Sequence, residues 1–327
     1  MNNYIPPFKI NNNMLSLVSD IMEKIGKLNS LNLDKNPRLR KQNRINSIHS
    51  SLAIENNKLS YDQVMDVIND KFVIGPQKEI QEVKNAYNAY QMLTKVDPYS
   101  IEDLKKVHGV MMFLTIEESG EFRKGPEGVF DGEKCIFICP PADRVNELIN
   151  NLFNWMKENN DIHPLILSSI FHYEFVFIHP FSDGNGRIAR LWQNIILYNW
   201  KNIFEYLPIE SRIYKYQEEY YEAIARCHVN GDSNVFVEFM LKMINESLDE
   251  VSIMPIDNNT ININNLLNVM EINKPMTSKE IMKKLKIKSK ETLRNNYLDP
   301  AIDAGYVKLT IPDKPTSKNQ MYYKVSK

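Results

Sequence analysis

Three features of the chain predict a mainly α-helical fold. Apolar residues recur at three- and four-residue steps through most of the sequence before residue 250, the period of an amphipathic helix. That pattern breaks between Arg123 and Pro141, where Gly, Pro and short apolar runs (GVFDGEKCIFICPP) read as a β-hairpin. Near the C-terminus, two helical segments precede two strand-like runs, the order of a winged helix-turn-helix.

The elements follow in chain order. Residues 14–29 (MLSLVSDIMEKIGKLN) and 38–55 are two amphipathic helices. Ser60 with Gln63 forms a capping box that opens a third. Residues 78–95 and 101–114 continue the helical period, which resumes from Val145 after the hairpin. PIDNNT (residues 255–260) reads as a linker. Beyond it, Thr277 with Glu280 caps TSKEIMKKLKI, and Ser289 opens SKETLRNNYLDPAIDAGYV, which Gly305 ends. YVKLTI and MYYKV flank the turn-rich DKPTSKNQ as a wing. The expected division is an N-terminal helical domain at 1–95, a central core at 96–250 and a winged-helix domain at 261–327.

Composition narrows the function classes. Hydrophobic content of 43% and charged content of 25% are those of a soluble globular protein. A net charge of −1 argues against any overall preference for nucleic acid or membrane. Cys135, Cys139 and Cys227 form no CxxC and lack nearby histidines, which argues against zinc and for reduced thiols in a cytoplasmic protein. The N-terminus MNNYIPPFKINNN has no signal pattern, and the apolar stretch LILSSIFHYEFVFIHPF carries too many polar residues to span a bilayer.

The most informative stretch runs from His179 to Arg190, HPFSDGNGRIAR. Ile188, Leu191, Trp192, Ile195 and Ile196 place a helix downstream, so it begins near Gly184–Gly186. A helix N-terminus offers unpaired N–H groups and a positive dipole end, and glycines let an anion approach the backbone. Arg187, Arg190 and Asn194 share one helical face, and arginine forks suit phosphate oxygens. Asp183, just before the anion site, suits Mg²⁺ that also binds phosphates. His179 has the side chain to take a proton from a hydroxyl at neutral pH. Together these groups suit a nucleoside triphosphate with an attacking group beside it. There is no P-loop and no kinase-type glycine loop. His163 and His172 read as structural.

A second feature lies in RINSIHSSLAIENNKLS. Ile45, Ile48 and Leu52 form an apolar stripe, and Glu55 is its next position. A carboxylate there needs a partner, and Asn56 and Asn57 end the helix, so its charge also opposes the macrodipole. A cationic partner brought by the fold is expected, with Ser51 on the same face.

These two stretches carry a family resemblance. HPFSDGNGRIAR fits the signature HPFx[D/E]GNGRxxR, and Ser51-Leu-Ala-Ile-Glu55-Asn56 fits [S/T]xxxE[G/N], so the chain resembles the Fic (filamentation-induced-by-cAMP) family. IPPFKI, RLRKQNRI, KEIQEVKNAY, GEFRKG, CPPADRV, HPLI and FEYLPIE extend the likeness along the chain. The resemblance implies a Fic-type helical core and transfer of AMP from ATP to Ser, Thr or Tyr hydroxyls of proteins. His179 resembles the general base, Phe181 the loop anchor and Asp183 the Mg²⁺ ligand. Gly184, Asn185 and Gly186 resemble the anion hole, with the Asn185 side chain on the α-phosphate. Arg187 would hold the β-phosphate region, with Ile188 and Ala189 in the nucleotide-binding run. Arg190 would take the γ-phosphate, or Glu55 when inhibited. Phe137, Ile138 and Cys139 would line a flap that holds the target as an added strand. Adenine would lie between flap and a downstream helix, with Tyr220 and Tyr221 as candidates.

Residues 274–327 hold 13 Lys or Arg against 5 Asp or Glu. Lys288, Lys290, Arg294, Asn295, Lys314 and Lys318 would face DNA if the winged helix binds it. Two further readings stand beside AMP transfer: removal of AMP at the same site, and a DNA-binding regulator with an ATP-sensing core. A protein target, self-modification and a homodimer are the other expected partnerships, with no membrane.

Overall fold

The structure, a computed structural model, describes residues 4–29, 37–131, 134–253, 258–315 and 317–325. The chain divides into two compact units, the larger ending at Ser252 and the smaller beginning at Ile253. The larger unit carries α1 (Asn12–Asn29), α2 (Pro37–Ile54), α3 (Tyr61–Ile68), α4 (Gln77–Tyr90) and α5 (Ile101–Met111). A hairpin of β1 (Gly128–Asp131) and β2 (Lys134–Ile138) follows. Then come α6 (Val145–Glu158), α7 (Pro164–Ile178), α8 (Asn185–Trp200), α9 (Ile209–Lys215), α10 (Gln217–Asn230) and α11 (Asn234–Ile253).

The centre of this unit is α7 packed on α8. Every residue from Leu165 to Phe175 and from Arg187 to Leu197 is buried. A helix buried on all faces must be apolar or have its polar groups paired, and both devices occur here. Pro164 at the first turn and the His163 ring, which accepts from Leu165 N–H at 3.3 Å, start α7. The other helices wrap this pair. Met14, Ile48, Val83, Trp192 and Phe236 all belong to one hydrophobic cluster, so residues 1–95 share the core expected for 96–250.

The local stop and start signals hold with small shifts. The Ser60–Gln63 capping box opens α3. α4 stops at Tyr90 and α5 at Met111, earlier than the periodicity predicts, because residues 91–95 and 112–115 turn. Asn258–Thr260, expected as linker, are already helical, and residues 254–257 lie outside the described residues.

The smaller unit has its own core of Leu266, Ile281, Leu293, Leu298 and Val307. It runs α12 (Asn258–Val269), β3 (Met276–Thr277), α13 (Ser278–Leu285), α14 (Lys290–Leu293), a π turn (Arg294–Leu298), α15 (Asp299–Asp303), β4 (Val307–Leu309) and β5 (Met321–Lys324). The Thr277–Glu280 capping box and the Ser289 cap are both present. β5 lies between β3 and β4, antiparallel to each. The expected helix–helix–wing order is therefore present, with β3 as an added edge. Among the described residues no helix is long and apolar enough to cross a membrane.

Candidate functional site

The loop from His179 to Gly184 joins the C-terminus of α7 to the N-terminus of α8. His179 caps α7 in the left-handed conformation (φ 52°), its N–H donating to Phe175 O at 3.0 Å. The turn is over-determined from beneath. Phe181 is fully buried and stacks on His108 with ring centroids 3.6 Å apart. His108 Nδ1 accepts from Gly120 N–H at 2.9 Å, so Nε2 carries the hydrogen and donates to Asp183 O at 3.0 Å. Burial pushes the His108 pKa down to about 4 and keeps the ring neutral.

Arg123 braces the same loop. Its Nε donates to His179 O at 2.7 Å, Nη1 to Gly125 O at 2.9 Å and Nη2 to Pro140 O at 2.6 Å. Its own N–H donates to Pro180 O at 2.9 Å. One buried guanidinium thus ties both ends of the hairpin segment to the end of α7, where carbonyls carry the negative end of the dipole.

The first turn of α8 is shaped by two glycines. Gly184 has φ 81°, and a Cβ there would lie 2.6 Å from Met112 Sδ. A Cβ on Gly186 would lie 2.5 Å from Glu55 Oε1 and 3.2 Å from Arg190 Nη1. The Glu55 carboxylate therefore sits over the turn that favours an anion. Asn185 closes the loop. Its Oδ1 accepts from Phe181 N at 2.9 Å and its Nδ2 donates to Phe181 O at 2.8 Å, which leaves the second Nδ2 hydrogen for another acceptor. Ile188 and Ala189 depart from their expected role, because both side chains lie in the core and bring no group to the anion site.

Both motif arginines are buried and paired. Arg190 donates from Nη2 to Glu55 Oε1 at 2.8 Å and to Ser51 O at 3.0 Å, and from Nε to Ser51 Oγ at 3.1 Å. Its side chain is 1% exposed against 31% for Glu55. Burial works against the Arg190 charge, but Glu55 and neighbouring Tyr220 and Tyr90 outweigh it and hold the pKa above its ordinary value. The cationic partner expected for Glu55 is thus Arg190, with Ser51 in the same network. Arg187 donates from Nη2 to Asp183 Oδ1 at 2.9 Å, and its Nη1 lies 3.7 Å from Glu82 Oε1 on α4. Asn194 turns away from the site and donates to buried Glu210 at 2.6 Å. Glu210 also accepts from Tyr90 (2.6 Å) and from Ser47 on α2 (2.7 Å).

The turn after α2 explains why Asn56 stands where it does. Asn57 N–H donates to Leu52 O at 3.1 Å and Asn56 N–H to Ala53 O at 3.0 Å, the two bonds of a Schellman motif. Asn56 takes φ 66°, a conformation open to Gly and Asn but costly for most residues. The motif's choice of Gly or Asn is thus a backbone requirement that presents Glu55 at the helix end.

Other expected positions separate. Tyr220 is buried, its hydroxyl 3.0 Å from His172 Nε2, and His172 Nδ1 lies 2.6 Å from Gln193 Oε1. Burial pushes His172 down to about 3, a structural histidine like the N-capping His163. Tyr221 is half-exposed and reaches the end of α2, its hydroxyl 3.4 Å from Ile54 O, beside Gln217 Nε2 at 3.1 Å from the same carbonyl. On the hairpin, alternation sends neighbouring side chains to opposite faces. Phe137 stacks on His228 at 4.1 Å and Cys139 is buried, so of the three expected flap residues Ile138 alone, 79% exposed, presents its side chain to solvent. In the smaller unit Lys288, Lys290, Arg294, Asn295, Lys314 and Lys318 are all exposed. Sequence reasoning missed Arg123, His108, Glu82 and Glu210, none of which carries a local signal.

Among the described residues no group of three or more His, Cys, Asp or Glu is arranged to hold a metal. Asp183 is a single carboxylate, 46% exposed, at the mouth of the α8 turn. That suits an ion such as Mg²⁺, which keeps most of its shell for water and substrate phosphates.

Comparison with known proteins agrees with this geometry. Residues 98–197 match the Fic/DOC family, and residues 262–324 match the C-terminal domain of Fic-like filamentation-induced-by-cAMP proteins. The chain is 28% identical over 247 residues to the protein adenylyltransferase Fic of Nematostella vectensis, covering 71% of this chain and 55% of that protein. It is also 28% identical over 222 residues to the protein adenylyltransferase Fic of Aedes aegypti, covering 65% of this chain and 42% of that one. The chain thus spans about half the length of these relatives. Among solved structures, a Fic family protein from Desulfovibrio desulfuricans G20 is 41% identical with a TM-score of 0.73, covering 99% of both chains. A Fic domain protein from Bacteroides thetaiotaomicron is 20% identical with a TM-score of 0.59, covering 73% of this chain and 95% of that one, a likeness of fold alone. With a full-length relative at that identity, and a signature loop built as described, this chain belongs to the Fic family.

Proposed function

We propose that this protein transfers AMP from ATP to a hydroxyl of a protein, and that Glu55 holds the reaction in check. The observation that carries the reading is the Glu55 carboxylate lying over Gly186 against Arg190, an anion already seated where the motif would bind phosphate.

In this reading the α8 N-terminus and the two arginines bind the triphosphate. The orphaned buried Nε of Arg187, which has no hydrogen-bond partner among the described residues, fits an awaited phosphate oxygen. Asp183 would hold Mg²⁺, whose charge offsets that of the phosphates. The target hydroxyl oxygen attacks the α-phosphorus, the bond to the α,β-bridging oxygen breaks, and pyrophosphate leaves. The hydroxyl proton passes to His179. Burial lowers the His179 pKa, which keeps the imidazole in its base form at neutral pH. Its Nδ1 faces Val176 O at 3.3 Å, which directs Nε2 outward as the accepting atom.

The test is intact mass and α-³²P label after incubation with ATP and Mg²⁺. Glu55→Gly should label strongly, wild type weakly, and His179→Ala with Glu55→Gly not at all. Gain of phosphate in place of AMP, or equal labelling of wild type and Glu55→Gly, refutes the reading. A second reading concerns the C-terminal unit, whose exposed Lys288, Lys290, Arg294 and wing lysines favour DNA binding. Affinity falling steeply with salt would support it, and no binding at low salt would sink it.

A further inference from the structure

The N-terminal helices bring a carboxylate to each motif arginine. Glu55 from the end of α2 takes Arg190, and Glu82 from α4 faces Arg187 at 3.7 Å. The second pair is drier than the first, with side chains 5% and 14% exposed. Glu82 also holds the turn that presents Glu55. Asn57, the residue that closes the Schellman turn, donates from Nδ2 to Glu82 Oε2 at 2.8 Å and to Glu79 O at 3.2 Å. One carboxylate therefore spans two tasks, with Oε1 toward Arg187 and Oε2 on the inhibitory turn. At 3.7 Å the Arg187 contact is an ion pair and not a hydrogen bond, and Arg187 Nε has no partner among the described residues. Asp183 holds this guanidinium by one directional bond from Nη2 at 2.9 Å and Glu82 by charge, while Nε remains available to a ligand.

We propose that Glu82 is a second restraining residue of the phosphate site, coupling the Glu55 turn to Arg187. The inference rests on the AMP-transfer reading for its consequence, but its first readout is nucleotide affinity. In the resting protein both arginines carry carboxylate partners from outside the motif. A triphosphate must outcompete Glu55 at Arg190 and Glu82 at Arg187. Movement of the Glu55 turn pulls on Glu82 through Asn57, so the two releases are linked. Glu82 touches no substrate in this scheme and acts through Arg187, as a positioning residue.

Glu82→Gln is the discriminating variant, because the amide oxygen still accepts from Asn57 while the charge facing Arg187 is gone. In a Glu55→Gly background, the Kd for α,β-methylene-ATP with Mg²⁺ should fall about fivefold, the scale of one partly buried charge contact. The maximal rate of label transfer should stay unchanged while KM for ATP falls. Glu79→Gln removes one charge from the same helix, at a side chain that accepts from Lys58 N–H instead, and should change neither quantity. With Glu55 intact, Asn57→Ala unties the turn and should raise label transfer above wild type. An unchanged or weakened Kd in folded Glu82→Gln, or an equal gain from Glu79→Gln, overturns the proposal. So does unchanged transfer in Asn57→Ala. If Glu55→Gly binds the analogue but transfers nothing, the reaction reading fails while the affinity test of Glu82 still stands.

Discussion

Neutralising Glu55 should make the chain less stable alone and more responsive to ATP. Arg190 is 1% exposed at its side chain, so its charge cannot turn to water when the carboxylate is removed. Breaking a fully buried pair from one side costs about 3–5 kcal/mol. Here Glu55 is 31% exposed, and Ser51 keeps two acceptors on the guanidinium at 3.0 and 3.1 Å. Solvent screening and those bonds reduce the cost of Glu55→Gln to about 1–2 kcal/mol. In a unit of this size that lowers Tm by about 2–8 °C. The nucleotide should then restore that stability, because the γ-phosphate supplies the missing anion. Binding at a hundred times Kd stabilises by about 2.7 kcal/mol. Differential scanning fluorimetry with Mg²⁺ and either ATP or ADP reads this directly. The variant should melt below wild type without nucleotide and show a larger gain with ATP than with ADP. Wild type should show nearly the same gain with both, because in the proposed reading Glu55 takes the place of the γ-phosphate at Arg190. Equal ATP-over-ADP gains in the two proteins, or an apo variant as stable as wild type, would refute the argument.

Three further outcomes follow from the same geometry. Asn56→Gly should leave stability near wild type, whereas Asn56→Ala at φ 66° should cost about 1 kcal/mol and raise basal labelling by loosening the Glu55 turn; urea melts and α-³²P transfer check both. Arg123→Ala should abolish transfer in the Glu55→Gly background while ATP still binds, since the Arg123 guanidinium braces the carbonyls of His179, Gly125 and Pro140 rather than the anion turn; calorimetric loss of ATP affinity would contradict it. Stability should vary with pH through opposing groups. His108 and His172, with folded pKa values near 4 and 3, stay neutral while the unfolded chain protonates, so they cost stability as pH falls below about 6.5, together about 4 kcal/mol at pH 5. Burial raises Glu174 to about 7, so it binds a proton earlier in the folded state and returns about 2–3 kcal/mol over the same range. Urea midpoints at pH 7.5 and 5 should therefore fall modestly for wild type and further for Glu174→Gln; an identical pH response would count against these assignments.

What could be read from the sequence was what is encoded locally. The Ser60 and Thr277 capping boxes and the start of α8 depend on residues within four positions of one another, and the hairpin on pairs no more than ten apart. Glu55 was visible because an apolar stripe made a carboxylate conspicuous. Side-chain direction inside the motif was less legible. Ile188 and Ala189 sit between the two arginines in sequence but on the core side of α8, and the Asn185 amide also ties the loop at Phe181. Tyr220 and Tyr221 look alike in sequence, yet one is a core residue and the other touches α2. Arg123 has its carbonyl partners at positions 125, 140, 178 and 179, a set assembled by the fold.

The carboxylates around α8 follow a rule that begins with burial. A phosphate site built from arginines on a helix buried from Arg187 to Leu197 is a stability problem whenever phosphate is absent. The charges cannot be solvated, so the fold must supply anions or acceptors of its own. Arg190 has Glu55 and Ser51, and Arg187 has Asp183 and Glu82. Any such acceptor that lies where phosphate would bind is an inhibitor by position, whatever its origin. In the proposed reading, autoinhibition is the resting-state solution to burying two arginines, and regulation would follow once one of those anions rides on a helix end that can move. Glu55 meets that condition, being a third exposed at the C-terminus of α2, whereas Glu210 beneath it is fully enclosed and serves as fixed support.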